Sequence, residues 1–237
     1  MIIEFIGLPG AGKTTLKGAI IKNNKHLIDQ RFVFLEQKMN IKFIYLLQKL
    51  TLGKNGNVNL CGRLLITLFK YSYFKEVSWR KESWDILISA LLQDDDGHHQ
   101  KTNASKLMLA IESYSAFSLA KNSENSYLFD EGVAQRGITL ARASFNEKLI
   151  YNYYKKAYKP DVLFILDAND SILKRRIQRR DNDLRLVRKR REMRKAVSIC
   201  KDIYAKKGVK IVEIDGSKKT SDMLKSVNNE IYLSKKS

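Results

Sequence analysis

Proline is almost missing from this chain, with two in 237 residues, and cysteine is as scarce. So little proline excludes a Pro-rich linker, and 12 glycines are too few for a collagen-like or low-complexity chain. Cys61 and Cys200 have no metal-ligand partners at a useful spacing and make no disulfide framework, so reduced thiols in a cytoplasmic protein are expected. No apolar run approaches the roughly 20 residues of a membrane-spanning helix. The apolar start Ile2–Ile6 has no basic stretch ahead of it, unlike a secretory signal. Acidic residues are outnumbered, 25 against 44 Lys and Arg, for a formal charge of +19. That balance suits an anionic partner such as nucleic acid, an acidic membrane surface or phosphorylated substrates, or simply a basic surface around a phosphate site. Repeats are absent too. What remains, 44% hydrophobic with 10% aromatics, is enough for one globular core.

The most informative stretch follows the first apolar run. Gly7-Leu8-Pro9-Gly10-Ala11-Gly12-Lys13-Thr14-Thr15 fits G-x-x-x-x-G-K-[ST], the phosphate-binding P-loop. Its glycines let several backbone N–H groups converge on one phosphate chain. Lys13 adds a mobile charge for the β- and γ-phosphates, and the Thr14 hydroxyl suits Mg²⁺. A strand precedes the loop, and Thr15–Ile21 reads as the helix whose N-terminus faces the anion. The expected ligands are a nucleoside triphosphate and Mg²⁺.

Five strand candidates alternate with helical patterns: Ile2–Ile6, Arg31–Glu36, Tyr127–Gly132 with two carboxylates at its end, Val162–Asp167 and Val209–Ile214. Helical spacing runs from Ile41 to Leu50, Leu60 to Tyr73, Trp79 to Leu92, Ser105 to Ala120, Ser144 to Tyr158, Ile172 to Arg180, Leu184 to Lys207 and Thr220 to Tyr232. Gly53–Asn57 is a turn signal, and Gln93–His99 reads as a solvated loop, not a metal site. The alternation predicts an α/β fold, a three-layer sandwich around a five-stranded parallel sheet, in one domain over 1–237. Ligands in such sheets lie beyond the carboxyl ends of the strands. There the sequence places the P-loop, Glu36, Asp130-Glu131, Asp167 and Asp215.

This order of parts resembles the nucleoside and nucleotide kinases of the P-loop superfamily, the thymidylate kinase-like group above all. The likeness covers 1–36 and 127–232; residues 40–121 correspond only in role, as a helical insertion on the acceptor side. The loop's G-x-P-G-x-G-K-T form is similar to those kinases. The run from Asp161 to Arg180 resembles their fourth strand and the helix leading into an arginine-rich lid, here 172–195. Val212–Ser217 looks like their fifth strand and the loop near the adenine. Thymidylate kinases place Asp-Arg after the third strand and deoxynucleoside kinases Glu-Arg-Ser. This chain has Asp130-Glu131-Gly132, with its nearest arginine at Arg136.

The resemblance implies a phosphotransferase acting from ATP on a small-molecule acceptor. Gly7, Pro9, Gly10, Ala11, Gly12, Lys13, Thr14 and Thr15 would hold the nucleotide, and Thr14 and Asp130 the metal. Arg136 would hold the acceptor's phosphate or the transferring group. Glu131 reads as a base toward an acceptor hydroxyl or as a supporting charge, and Glu36 as the carboxylate that deoxynucleoside kinases carry after their second strand. Twelve Lys or Arg fall in 174–195, of which Arg176, Arg180 and Arg185 are expected to face the phosphates. Trp79, Arg80 and Trp84 lie where such kinases build the acceptor pocket, though core packing suits them equally. The tyrosines of 151–158 read as packing rather than base stacking. A nucleoside or nucleotide acceptor leads, with a sugar or glycan precursor next; a polynucleotide 5′-kinase, an NTP-dependent regulatory binder and a homodimer are further possibilities.

Overall fold

In the computed structural model the described residues are 1–24, 26–36, 39–51, 100–143, 145–180 and 188–234. Their sheet has five parallel strands: β1 (Ile2–Gly7), β2 (Leu27–Asp29), β3 (Ser126–Phe129), β4 (Val162–Asp167) and β5 (Lys210–Asp215), in the order β2-β3-β1-β4-β5. β1 is buried at every residue, and so is β4 except at its last. Near-continuous apolar runs are what strands covered on both faces require, and Glu4 alone interrupts β1. The register aligns Glu4 with Phe129 on one side and Leu163 on the other.

Among the described residues nine α-helices surround the sheet. They are α1 (Lys13–Asn23), α2 (Val33–Glu36), α3 (Ile41–Thr51), α4 (Gln100–Lys121), α5 (Val133–Ala143), α6 (Glu147–Lys156), α7 (Asp170–Arg180), α8 (Arg190–Lys206) and α9 (Thr220–Ser234). α5, α6 and α8 pack on one another, and α1 packs on α9. Right-handed crossovers require this, because the chain leaves β1 toward β3 and β2 but leaves β3 toward β4 on the other side. Strand order therefore reverses at β1, and the P-loop sits at that switch point. The three-layer α/β sandwich is the one expected.

The second strand is a correction. Arg31–Glu36 is not extended; β2 ends at Asp29, a 3₁₀ turn covers Gln30–Phe32, and α2 follows. Asp29 starts the turn by accepting the Arg31 N–H at 3.0 Å. Val33, Phe34 and Leu35 are all buried, so the run carries no period and reads as strand or helix alike. No helix is expected from the spacing over Val133–Ala143, where α5 lies. The other boundaries shift by a few residues: Asn146 caps α6 by accepting from the Leu149 N–H, and Asn169 does the same for α7 with Ile172. The helices read at 60–73 and 79–92, the turn at 53–57, the loop at 93–99, Trp79, Arg80, Trp84, Cys61 and Arg185 lie outside the described residues.

Three of the four tyrosines of 151–158 pack on the core: Tyr153, Tyr154 and the partly buried Tyr158. Tyr153 and Tyr154 are buried in α6 and donate to the carbonyls of Val133 and Ala134, at 2.7 and 2.9 Å, while Tyr151 is exposed. Cys200 is buried beside Tyr154, where burial pushes its thiol well up. No helix among the described residues is long and apolar enough to cross a membrane.

Candidate functional site: the phosphate loop and its buried ion-pair chain

The loop from Gly7 to Gly12 turns on residues that only glycine occupies cheaply. Gly10 and Gly12 have φ of 83° and 102°, in the left-handed region. Gly12 precedes α1, so the loop amides and the N-terminus of α1 face the same space. Lys13 Nζ donates to the carbonyls of Gly7 and Leu8, at 2.7 and 3.4 Å. Arg176 reaches across from α7 and donates through one Nη to Gly10 O and Gly216 O, at 3.2 and 2.8 Å. It thereby ties the P-loop to the turn after β5.

Beneath the loop lies a chain of alternating charges. Thr14 Oγ1 donates to Asp130 Oδ2 at 3.0 Å, and Lys17 Nζ lies 2.5 Å from Asp130 Oδ1 and 3.1 Å from Asp29 Oδ2. Arg31 closes the chain, donating from Nε to Asp29 Oδ1 at 2.8 Å and from Nη2 to Oδ2 at 2.5 Å. Lys17 is 1% exposed and Asp29 fully buried. Burial alone would raise the Asp29 carboxyl, but Lys17 and the Arg31 fork outweigh it and hold that carboxyl well below the usual range. Gln30 Oε1 accepts the backbone N–H groups of Asp130 and Glu131, at 3.0 and 3.2 Å. The acidic end of β3 is thus fixed from below by β2 and α1.

The loop opens into a cavity of about 690 Å³, one wall of which is α5. Gln135, Arg136, Thr139 and Arg142 line it at helical spacing, with Glu131, Arg176, Thr15 and Lys218 around them. Arg136 is buried, donates to Ser113 Oγ and Glu131 O, each at 3.1 Å, and stands 3.4 Å from Glu131 Oε2. Gln135 accepts the Gly7 N–H at 3.1 Å through Oε1, and its own N–H goes to Glu4 Oε1 at 2.9 Å. Glu4 is 0% exposed, its Oε2 has no hydrogen-bond partner, and burial pushes its carboxyl up to about 8.

The structure brings together most of the residues expected from the sequence. Gly7, Pro9, Gly10, Ala11, Gly12, Lys13, Thr14, Thr15, Asp130, Glu131, Arg136 and Arg176 all lie in or beside the loop and its cavity. Glu36 does not join them. It accepts from Tyr127 Oη at 2.5 Å and from Asn125 Nδ2 at 2.5 Å, at the amino end of β3 and so the opposite edge of the sheet. The side chain of Arg180 lies outside the described residues. Asp167 and Asp215 are held elsewhere, by Arg194 and by the Ser217 N–H. The sequence reading missed Lys17, Asp29, Arg31, Gln135, Arg142 and Glu4. A signal existed for two of them: Glu4 interrupts an otherwise apolar strand, and Lys17 falls in the buried stripe of α1.

The residues present fit a nucleotide with Mg²⁺. The left-handed glycines curl the loop at the N-terminus of α1, and a hydroxyl and a carboxylate oxygen stand 3.0 Å apart there. No protein-family model matches this chain, and no curated sequence matches it. Among solved structures it is similar to deoxyadenosine kinase from M. mycoides with its products dCMP and a flexible dCDP, and to the same enzyme with dATP. Identity is 12% in both, over 98% of this chain and 99% and 100% of those, with a TM-score of 0.50. The chain has the fold of the P-loop nucleoside and nucleotide kinases.

Proposed function

We propose that this protein is an ATP- and Mg²⁺-dependent phosphotransferase that moves the γ-phosphoryl group to a phosphorylated small molecule of nucleotide size. The observation that carries the reading is the P-loop, with Thr14 bonded to Asp130, opening onto a cavity walled by Arg136, Arg142 and Arg176. Phosphoryl transfer needs positioning and charge stabilisation above all. The loop amides and Lys13 would bind the donor phosphates, with Lys13 exchanging the Gly7 and Leu8 carbonyls for phosphate oxygens. Thr14 and Asp130 would hold Mg²⁺, which neutralises phosphate charge when bound. Arg176, already on the loop, would face the transferring group.

The acceptor side is read from α5. Arg136 and Arg142 lie six residues apart, about 9 Å along the helix axis, so together they span a small anionic substrate. An acceptor phosphate needs no base to make it nucleophilic. The carboxylates at the ends of β2 and β3 suit that, since Asp29 is held by Arg31 and Lys17, and Asp130 by Lys17 and Thr14. Glu131 lies within reach of Arg136 and would orient it.

The test is ADP release from ATP·Mg²⁺ over matched pairs of acceptors: nucleosides and their monophosphates, sugars and sugar phosphates. Stimulation by the phosphorylated member, lost by about 100-fold or more in Lys13→Ala, is the expected result. Equal turnover in Lys13→Ala would overturn the kinase reading, and a preference for the neutral members would overturn the acceptor class.

A further inference from the structure

Lys17 has no part in the loop motif, does not line the cavity, and is almost wholly buried. A buried ammonium is costly unless paired, so its position between two carboxylates needs a reason. Asp29 supplies only part of it: Lys17 Nζ stands 3.1 Å from its Oδ2, but the Arg31 fork already donates to both Asp29 oxygens. Lys17 is also the charge partner of Asp130, and the nearer contact is there, at 2.5 Å from Oδ1. Thr14 takes Oδ2 from the cavity side. The two contacts divide the carboxylate, one oxygen facing the core and the other facing the loop.

We infer that Lys17 is a positioning residue that makes metal entry depend on nucleotide. With Arg31 on Asp29 and Lys17 between Asp29 and Asp130, two cations balance two carboxylates, so Asp130 offers one oxygen in a cluster of no net charge, a poor site for a bare divalent cation. Phosphate oxygens would supply the missing charge and ligands. The inference rests on the kinase reading for the identity of the metal site. Its electrostatic core rests only on the Lys17–Asp130–Thr14 geometry.

The experiment is a Mn²⁺ titration followed by electron paramagnetic resonance, on the full chain with and without ADP, so that no turnover is needed. Wild-type protein should bind Mn²⁺ about 100-fold more tightly with ADP than without. Lys17→Met should tighten nucleotide-free Mn²⁺ binding about tenfold or more, by releasing one oxygen and one negative charge. Lys17→Arg, which keeps the charge, should behave as wild type. A Lys17→Met protein whose nucleotide-free affinity stays within twofold of wild type, with only a lower melting temperature, would make Lys17 a strut and overturn the inference. Should Lys17→Met not fold, wild-type protein decides alone: nucleotide-free binding within tenfold of the ADP-loaded value overturns it. Failure of the kinase reading shows separately, as Mn²⁺ binding that ADP never changes in any variant while Lys17→Met still tightens it.

Discussion

Glu4 shows how one buried side chain reaches the phosphate loop. Its Oε1 accepts the Gln135 N–H, and Gln135 in turn accepts the Gly7 N–H, so the start of α5 and the start of the P-loop hang on a single carboxyl. Gly132 is part of the same fit, since a Cβ there would lie 2.6 Å from the Glu4 carboxylate. Burial favours the protonated form in the fold, with a value near 8 against 4.5 for the ordinary group. The folded state therefore binds more protons than the unfolded state between those values, and stability falls as pH rises through that window. The expected slope is about 1.4 kcal/mol per pH unit. Glu4→Gln keeps the acceptor oxygen and cannot ionise, so it should flatten stability between pH 5 and 8 and exceed wild type at the upper end. Denaturant melts at several pH values read this directly; an unchanged slope would mean that Glu4 is ionised in the fold.

At the scale of elements, α5 does two jobs with two faces. One face packs against α6 and α8, where a Cβ on Gly137 would lie 2.3 Å from the Tyr154 ring. Tyr154 is fixed by its bond to Ala134 O and stacks edge-on with Tyr204 at 5.7 Å, so it has no room to yield. Gly137→Ala should cost about 1–3 kcal/mol by overpacking, measurable as a lower denaturation midpoint. The other face carries Gln135, Arg136, Thr139 and Arg142 into the cavity. Arg142 stands in the last turn of α5, and no ion pair joins it to another described residue. Arg142→Gln should raise KM for a phosphorylated acceptor about tenfold, leaving ATP binding unchanged. A shift in ATP affinity of the same size would place Arg142 on the donor side instead.

On the scale of the whole molecule, the charge of +19 acts against the fold. Some of it is paired or used as caps: Arg194 with Asp167 and Asp170, Lys201 with Glu213, and Lys207 on the carbonyls of Tyr154 and Lys155 at the end of α6. Like charges still dominate, and salt screens their repulsion over about 10 Å at 0.1 M. The melting temperature is therefore expected to rise between 50 and 500 mM chloride in differential scanning fluorimetry at neutral pH. A fall would mean that the ion pairs outweigh the excess charge.

The sequence by itself determined four of the sheet's five strands and the loop. Buried parallel strands need near-continuous apolar runs, and a phosphate loop needs glycines and a lysine at fixed offsets, so Ile2–Thr15, Tyr127–Asp130 and Val162–Asp167 are legible without coordinates. What only the tertiary structure decided was which polar residues meet. Asp29, Lys17 and Asp130 come from separate stretches of the chain, and no spacing links them; the parallel order β2-β3-β1 does. The same order removed Glu36 from the site. With β2 ending at Asp29 and the chain coiling into α2, Glu36 is carried back to the amino edge of β3, where Tyr127 and Asn125 bind it. An apolar run without a period carries no information on its own direction, so only packing could choose between strand and helix there.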